Sequence, residues 1–381
     1  MRKCLLIPRA AVSVLLLAAL PTSDIRAQSV GVTDDFSKIN ERIQGWVERG
    51  YYPGGDLFVA MNRRVLYEKY FGSYTPDSVV FIASAGKWLA AATIMSLVDE
   101  GKLLLDDPAS KWLPEFKDAK GRATIRQMLS HTSGYPPYQP ASEPPDKYQT
   151  LTESVQHILM LPPVAATGER FEYGGLAMQV AGRIAELAAK KDWETLFQKR
   201  IARPLRMTNT HFTPVDPDEG HSPMLGGGAR STVRDYANFL AMIANNGVFE
   251  GRRVLSKRAI TEMQADQVGR AAVRRGEFVE RVRGRMHNGI YGLGEWREML
   301  DEQGRAVLIS SPSWAGAYPW IDKQTGVYGV FLAHVNVEEA RRDEFSGFYA
   351  SPVLAMMVRE VLARRSINGN PRKKAIPRSM E

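Results

Sequence analysis

The chain has 381 residues, 44% of them apolar and 24% charged, enough for one large or two medium domains with a substantial core; this excludes a disordered or fibrous chain. Its formal charge of +8 is confined to the ends. Residues 1–27 hold four bases and one acid, residues 364–381 six and one, and the body between carries 40 of each, so no basic stripe marks a nucleic-acid binder.

In chain order, Arg2, Lys3 and Arg9 precede the apolar run Ala10–Leu20, then Pro21 and a polar stretch ending at Ala27. This reads as a cleavable signal peptide over 1–27, too short to span a bilayer comfortably, and points to a periplasmic or secreted protein without a stable membrane anchor. The only cysteine, Cys4, lies in this leader, so disulfides, a cysteine nucleophile and thiolate metal sites are excluded from the mature chain. Six histidines are scattered without ligand spacing, and neither a metal nor another cofactor is expected. Phe36, Ile39, Ile43 and Val47 predict an amphipathic helix over 34–50, and two strands follow around the turn Asn62-Arg63. An Ala-, Leu- and Met-rich helix is expected over 84–100, closed by Gly101. Helical patterns dominate from about 103 to 246, including Thr124–Leu129, Leu176–Lys190 and Val233–Asn245, with an irregular Pro-rich stretch over 135–147. The Arg-rich stretch Arg270–Arg285, with its partners Glu277 and Glu280, reads as a solvated loop or flap. Strands return over Tyr291–Trp296, Ala306–Ser310, Ala317–Ile321 and Val327–Val335, before a closing helix over Ser351–Arg365 and a basic tail over 366–381. Strands at both ends of a helical middle predict an α+β domain over 28–365: one sheet built from distant segments, flanked by helices, with a mainly helical subdomain (roughly 103–246) inserted between its halves.

Ser84-Ala85-Gly86-Lys87 stands where strand pattern gives way to helix. Ser and Lys three apart share one helix face, and a lysine held neutral can take the serine proton and create a nucleophile. The tetrad alone also fits a capping serine beside a solvated lysine. Acyl transfer further needs a proton shuttle and an oxyanion hole. Tyr173, in Phe171-Glu172-Tyr173-Gly174-Gly175, is the candidate shuttle, with a packed loop aromatic as its competing reading. Trp314-Ala315-Gly316-Ala317 opens a C-terminal strand on which Gly316 would permit close approach to a backbone amide.

Four stretches resemble the β-lactamase-related serine hydrolases, the superfamily of penicillin-binding proteins, class C-type β-lactamases, D-amino-acid peptidases and carboxylesterases. They are Ser84–Lys87, Leu129-Ser130-His131-Thr132-Ser133-Gly134-Tyr135, Tyr173-Gly174-Gly175 at the family's Tyr-x-Asn, and Gly226–Tyr236. The resemblance covers roughly 34–365 and implies a β-lactamase/transpeptidase-like fold with an antiparallel sheet. It implies Ser84 as acylated nucleophile, Lys87 as its base and Tyr173 as proton carrier, with the oxyanion hole formed by the amides of Ser84 and Ala317. It places Gly175, Trp314 and Gly316 against substrate. Two positions depart from the pattern: Gly175 replaces an Asn that binds substrate amides, and Trp314 replaces a Lys or His that holds a substrate carboxylate. Trp-x-Gly is similar to the esterases of the superfamily. His131 is implied to be structural, and Ile82 stands where a Gly-x-Ser-x-Gly elbow needs its first glycine. The expectation is therefore an exported serine hydrolase cleaving small-molecule esters. D-amino-acid amides, peptides or β-lactam-like substrates are alternatives at the same site, and a catalytically silent penicillin-binding-like recognition module is the rival from another class.

Overall fold

The computed structural model describes residues 35–140, 150–212 and 224–368; the leader, most of the basic tail and part of the Pro-rich stretch lie outside the described residues. The first helix, α1 (Ser37–Glu48), places Ile39, Ile43 and Trp46 on its buried face. Strands β1 (Gly54–Met61) and β2 (Arg64–Gly72) follow, joined at Asn62 and Arg63, whose φ of 51° and 65° supply the left-handed turn that matches strand twist. Next come β3 (Val80–Phe81) and, far along the chain, β4 (Arg230–Ser231), which pair as a short ribbon, and the small hairpin β5 (Val248–Phe249) and β6 (Arg252–Arg253). The last four strands are β7 (Trp296–Leu300), β8 (Ala306–Ser310), β9 (Gly316–Asp322) and β10 (Val327–His334).

Six of these form one antiparallel sheet in the order β2-β1-β10-β9-β8-β7, so strands from both ends of the chain meet at the β1–β10 pairing. Period-2 alternation splits the strands between two cores. Leu57 and Val59 face a layer that includes α1 and the C-terminal helix Val353–Asn368; Phe58 and Ala60 face the helical half of the molecule. The centre of that half is α2 (Gly86–Asp99), in which Lys87 to Leu97 are all buried. Apolar all round, it needs protein on every side, and Gly101 ends it at φ 69°.

Three expectations are corrected. Ser84 precedes the α-helix, in the 3₁₀ turn Ala83–Ala85. Tyr291–Trp296 is not a strand: Gly294 turns at φ 79° and packs on the Lys87 carbonyl, and β7 begins only at Trp296. The Arg270–Arg285 stretch is docked by its middle. It contains the helix Phe278–Arg283, whose Phe278 ring lies 4.9 Å from Trp296 and 4.7 Å from Phe348. Its Arg283 forms a buried ion pair with Glu298.

Candidate active site

Three parts of the chain meet at the end of the sheet where β9 begins. The first is the turn before α2. Ala83 holds a φ of 43°, which a residue with a Cβ adopts only when its surroundings enforce it. Here the Ile82 amide donates to the Ala229 carbonyl (2.9 Å), Tyr236 Oη to the Ala85 carbonyl (2.7 Å) and Ser311 Oγ to the Ser84 carbonyl (3.2 Å). Residues of the Gly226–Tyr236 stretch and of the β8–β9 connection thus clamp the turn that presents Ser84.

Lys87 lies one helical step behind. Its Nζ donates to Ser84 Oγ at 3.0 Å and to the Gly226 carbonyl at 2.5 Å, and sits 4.6 Å from the centre of the Tyr173 ring. It is 1% exposed, and burial alone brings its pKa down from 10.5 to about 7, so a large share of the amine is neutral at neutral pH. Behind α2, burial pushes the Glu295 carboxyl beside Trp88 up to about 8, so this acid is mostly uncharged too and does little to restore the ammonium form.

Tyr173 comes from the loop before the helix Leu176–Ala189. Its phenol is buried and makes no hydrogen bond of full geometry; desolvation raises its pKa, while the nearby Ser84 hydroxyl and Trp296 indole pull the other way. His131 packs edge-on against the Tyr173 ring at 4.7 Å and its Nε2 lies 3.3 Å from Tyr291 Oη. Burial and the charge of Lys87 hold His131 neutral. It touches the wall of Tyr173 and has no hydrogen bond to Ser84, the placement expected of a structural residue.

At the mouth, Trp314 is 51% exposed and meets Phe81 (6.2 Å) and His334 (6.0 Å) edge-on, an aromatic wall in place of a cation. The Ser84 amide lies at the N-terminal end of the helical segment, and β9, which carries Ala317, packs against that turn. Gly316 serves a need different from substrate approach: at φ 104° a Cβ would fall 2.5 Å from the Tyr52 ring. Glycine is required there by packing on the layer behind the sheet. Gly175 is open on its free side, where a Cβ would meet only the Gly226 Cα at 3.9 Å. The Gly226 carbonyl is the partner of Lys87 that residue-by-residue reading missed, because a backbone acceptor leaves no side-chain signature. Among the described residues no group of His, Cys, Asp and Glu could hold a metal ion, and no helix is long and apolar enough to cross a membrane.

A serine hydrogen-bonded to a buried, half-neutral lysine beside a buried tyrosine, on an antiparallel sheet capped by a helical half, defines a serine hydrolase of the β-lactamase and penicillin-binding-protein type. The sequence profile of the Beta-lactamase family matches residues 39–348, and the chain belongs to that family. It is 26% identical over 331 residues to the D-alanyl-D-alanine-carboxypeptidase/endopeptidase AmpH of Escherichia coli K12, covering 80% of this chain and 85% of that one. A solved protein of Bacteroides dorei DSM 17855, described as a candidate beta-lactamase, is 53% identical and superposes with a TM-score of 0.82, covering 86% of this chain and 99% of that one. EstCE1, described as a hydrolase with promiscuous acyltransferase activity, shares the fold at 20% identity, with a TM-score of 0.63 and coverage of 78% and 92%.

Proposed function

We propose that the chain is an exported carboxylesterase-type hydrolase working through an acyl-enzyme at Ser84. The observation that carries this reading is the 3.0 Å hydrogen bond between Ser84 Oγ and an amine whose pKa burial has brought to about 7. Neutral Lys87 takes the hydroxyl proton as Ser84 Oγ bonds to the ester carbonyl carbon, and the carbonyl π electrons move onto oxygen. The amides of Ser84 and Ala317 receive that oxyanion. As the tetrahedral intermediate collapses, the C–O bond to the alcohol breaks. Tyr173 gives its proton to the departing oxygen and is reprotonated from Lys87, which restores the neutral amine. Water then repeats the sequence: its proton goes to Lys87, its oxygen to the acyl carbon, and Ser84 leaves with a proton returned.

Esters are favoured because the positions that would serve an amide and a carboxylate here hold a bare glycine, Gly175, and an exposed indole, Trp314. The missing contact to a substrate carboxylate at 314 removes roughly 1.5–3 kcal/mol of discrimination, and the missing neutral contact to an amide at 175 roughly 0.5–1.5 kcal/mol. A second reading, cleavage of D-amino-acid peptides, is favoured by the similarity to AmpH. The test is labelling by a fluorophosphonate together with turnover of p-nitrophenyl acetate and nitrocefin. Labelling and ester turnover should vanish in Ser84→Ala and fall strongly in Lys87→Ala, with nitrocefin a much poorer substrate. Undiminished turnover in Ser84→Ala would end the acyl-enzyme reading; efficient nitrocefin hydrolysis would end the ester preference. A wild-type protein that neither labels nor turns over any of these would be a recognition module.

A further inference from the structure

The helix Leu176–Ala189 packs with apolar side chains along most of its length, yet Gln179, in its first turn, is 3% exposed. A buried primary amide must be satisfied at both ends. Gln179 Nε2 donates to Ser154 Oγ at 3.3 Å, which orients the group, and Gln179 Oε1 accepts from the Leu225 amide at 2.7 Å. The next residue is Gly226, whose carbonyl receives Lys87 Nζ.

The turn around that carbonyl is pinned on several sides. The Gly227 amide donates to the Met224 carbonyl at 3.0 Å and the Gly228 amide to the same oxygen at 2.5 Å. The Leu225 side chain is buried and fills the space left by Gly182, where a Cβ would stand 2.1 Å from it. The Gly226 backbone rests on Gly175, and a Cβ at 226 would come within 2.7 Å of the Gly175 Cα. Among the described residues, the Gln179 bond is the hydrogen bond that joins this turn to the helix, and it reaches the peptide chain next to the acceptor. With no side chain at 175, Lys87 Nζ hydrogen-bonds only Ser84 Oγ and the Gly226 carbonyl among the described residues.

We propose that Gln179 is a positioning residue for Lys87, acting through the Leu225–Gly226 backbone to hold the carbonyl that aims the amine at Ser84. One helix then controls both proton-handling groups: the Tyr173 loop enters its N-terminus, and its first turn fixes the partner of Lys87. This inference rests on the Ser84–Lys87 acyl-enzyme reading.

Gln179→Leu keeps the volume and removes the acceptor. With p-nitrophenyl acetate, kcat should fall about 10–100-fold with KM changed less than about twofold, because misaiming a group by an ångström costs rate rather than binding. An ammonium that loses an acceptor is disfavoured, so the acid limb of kcat/KM should move to lower pH by roughly half a unit. Gln179→Glu, a neutral acid when buried, keeps a carbonyl acceptor at the same reach and should recover most of the rate. Gly226→Ala displaces the same carbonyl without touching Gln179 and should reproduce the loss, which keeps the test open if Gln179→Leu does not fold. The proposal is overturned if kcat in Gln179→Leu or Gly226→Ala stays within about twofold of wild type, or if the rate falls with an unmoved acid limb and no recovery in Gln179→Glu. Fluorophosphonate labelling separates the two readings. If the acyl-enzyme reading is wrong, wild type itself is not labelled at Ser84. If only this proposal is wrong, wild type is labelled, Ser84→Ala is not, and Gln179→Leu is labelled at the wild-type rate.

Discussion

Burial removes Lys87 Nζ from water and gives it two oxygen acceptors, neither charged, so the amine pays for its reactivity in stability. In the unfolded chain a lysine holds its proton up to about pH 10.4, whereas Lys87 in the fold lets go near 7. Between those values the unfolded state binds more protons than the native state, so the stability of the protein rises with pH across that window; below it the penalty is at its full size. A shift of this size corresponds to about 5 kcal/mol, from which the two hydrogen bonds must be subtracted. Lys87→Met should therefore abolish ester turnover while raising unfolding stability by roughly 2–4 kcal/mol at pH 6, a gain that shrinks toward zero by about pH 10. In the wild type, kcat/KM should rise with pH through an apparent pKa near 7. Urea unfolding of both proteins at three pH values checks the stability claim. A methionine variant less stable than wild type at pH 6, or a gap that does not change with pH, would show that burial does not set the state of this amine.

A second buried ammonium, Lys120, has the opposite role, which makes it a useful contrast among the elements. Its Nζ donates to the carbonyls of Ile158 (3.2 Å), Leu159 (2.6 Å) and Leu161 at the end of the helix Leu151–Met160, and Asp118 lies 3.4 Å away. The last carbonyls of a helix have no partner within it, and a cation there satisfies them and the dipole together. Tyr135 Oη donates to the Lys120 carbonyl at 2.8 Å, tying this cap to the segment that passes the site. Lys120→Met should leave these carbonyls without their donor and cost about 2–3 kcal/mol in denaturant unfolding; a loss below half a kcal/mol would mean that water replaces the amine freely. Elements such as these differ in how far a sequence announces them. The strand Ala306–Ser310 follows from its apolar run, and the Ser84–Lys87 pair from the tetrad taken together with the other motifs, though Ser84 sits in the turn before the helix. Tyr291–Trp296 misleads because its aromatic and apolar residues fit a strand, while Gly294 folds the chain back onto α2. The left-handed Ala83 has no local cue, since alanine avoids that conformation unless tertiary contacts impose it. Gln179 and the Gly226 carbonyl are silent for a related reason: one resembles an exposed helix residue, and the other has no side chain.

Across the whole molecule, the sheet is what ties the Arg-rich segment to the site. Glu298 on β7 is fully buried and accepts from Ser310 Oγ on β8 and from Tyr318 Oη on β9 (2.9 Å), and it pairs with Arg283 of the segment. Arg283 also donates to Tyr318 Oη and to the Pro352 carbonyl, each at 3.1 Å, so one guanidinium joins two strands, β7 and β9, to the stretch that leads into the C-terminal helix. The aromatic cluster around Phe278 and Trp296 extends from this anchor to the Tyr173 ring, which lies 5.1 Å from Trp296. A segment held this way backs the Tyr173 ring through Trp296. Removing one member of a buried ion pair strands the other charge and costs about 3–5 kcal/mol, whereas replacing both with apolar residues is often neutral. Arg283→Met should thus destabilise the protein by that amount and expose residues 270–285 to limited proteolysis, and Arg283→Met with Glu298→Met should recover most of the loss. Ester turnover should fall with the single change, because Tyr173 loses its backing, and return with the double one. A single variant that is cleaved in 270–285 yet keeps wild-type kcat would show that the segment is a detachable cover with no part in holding the phenol.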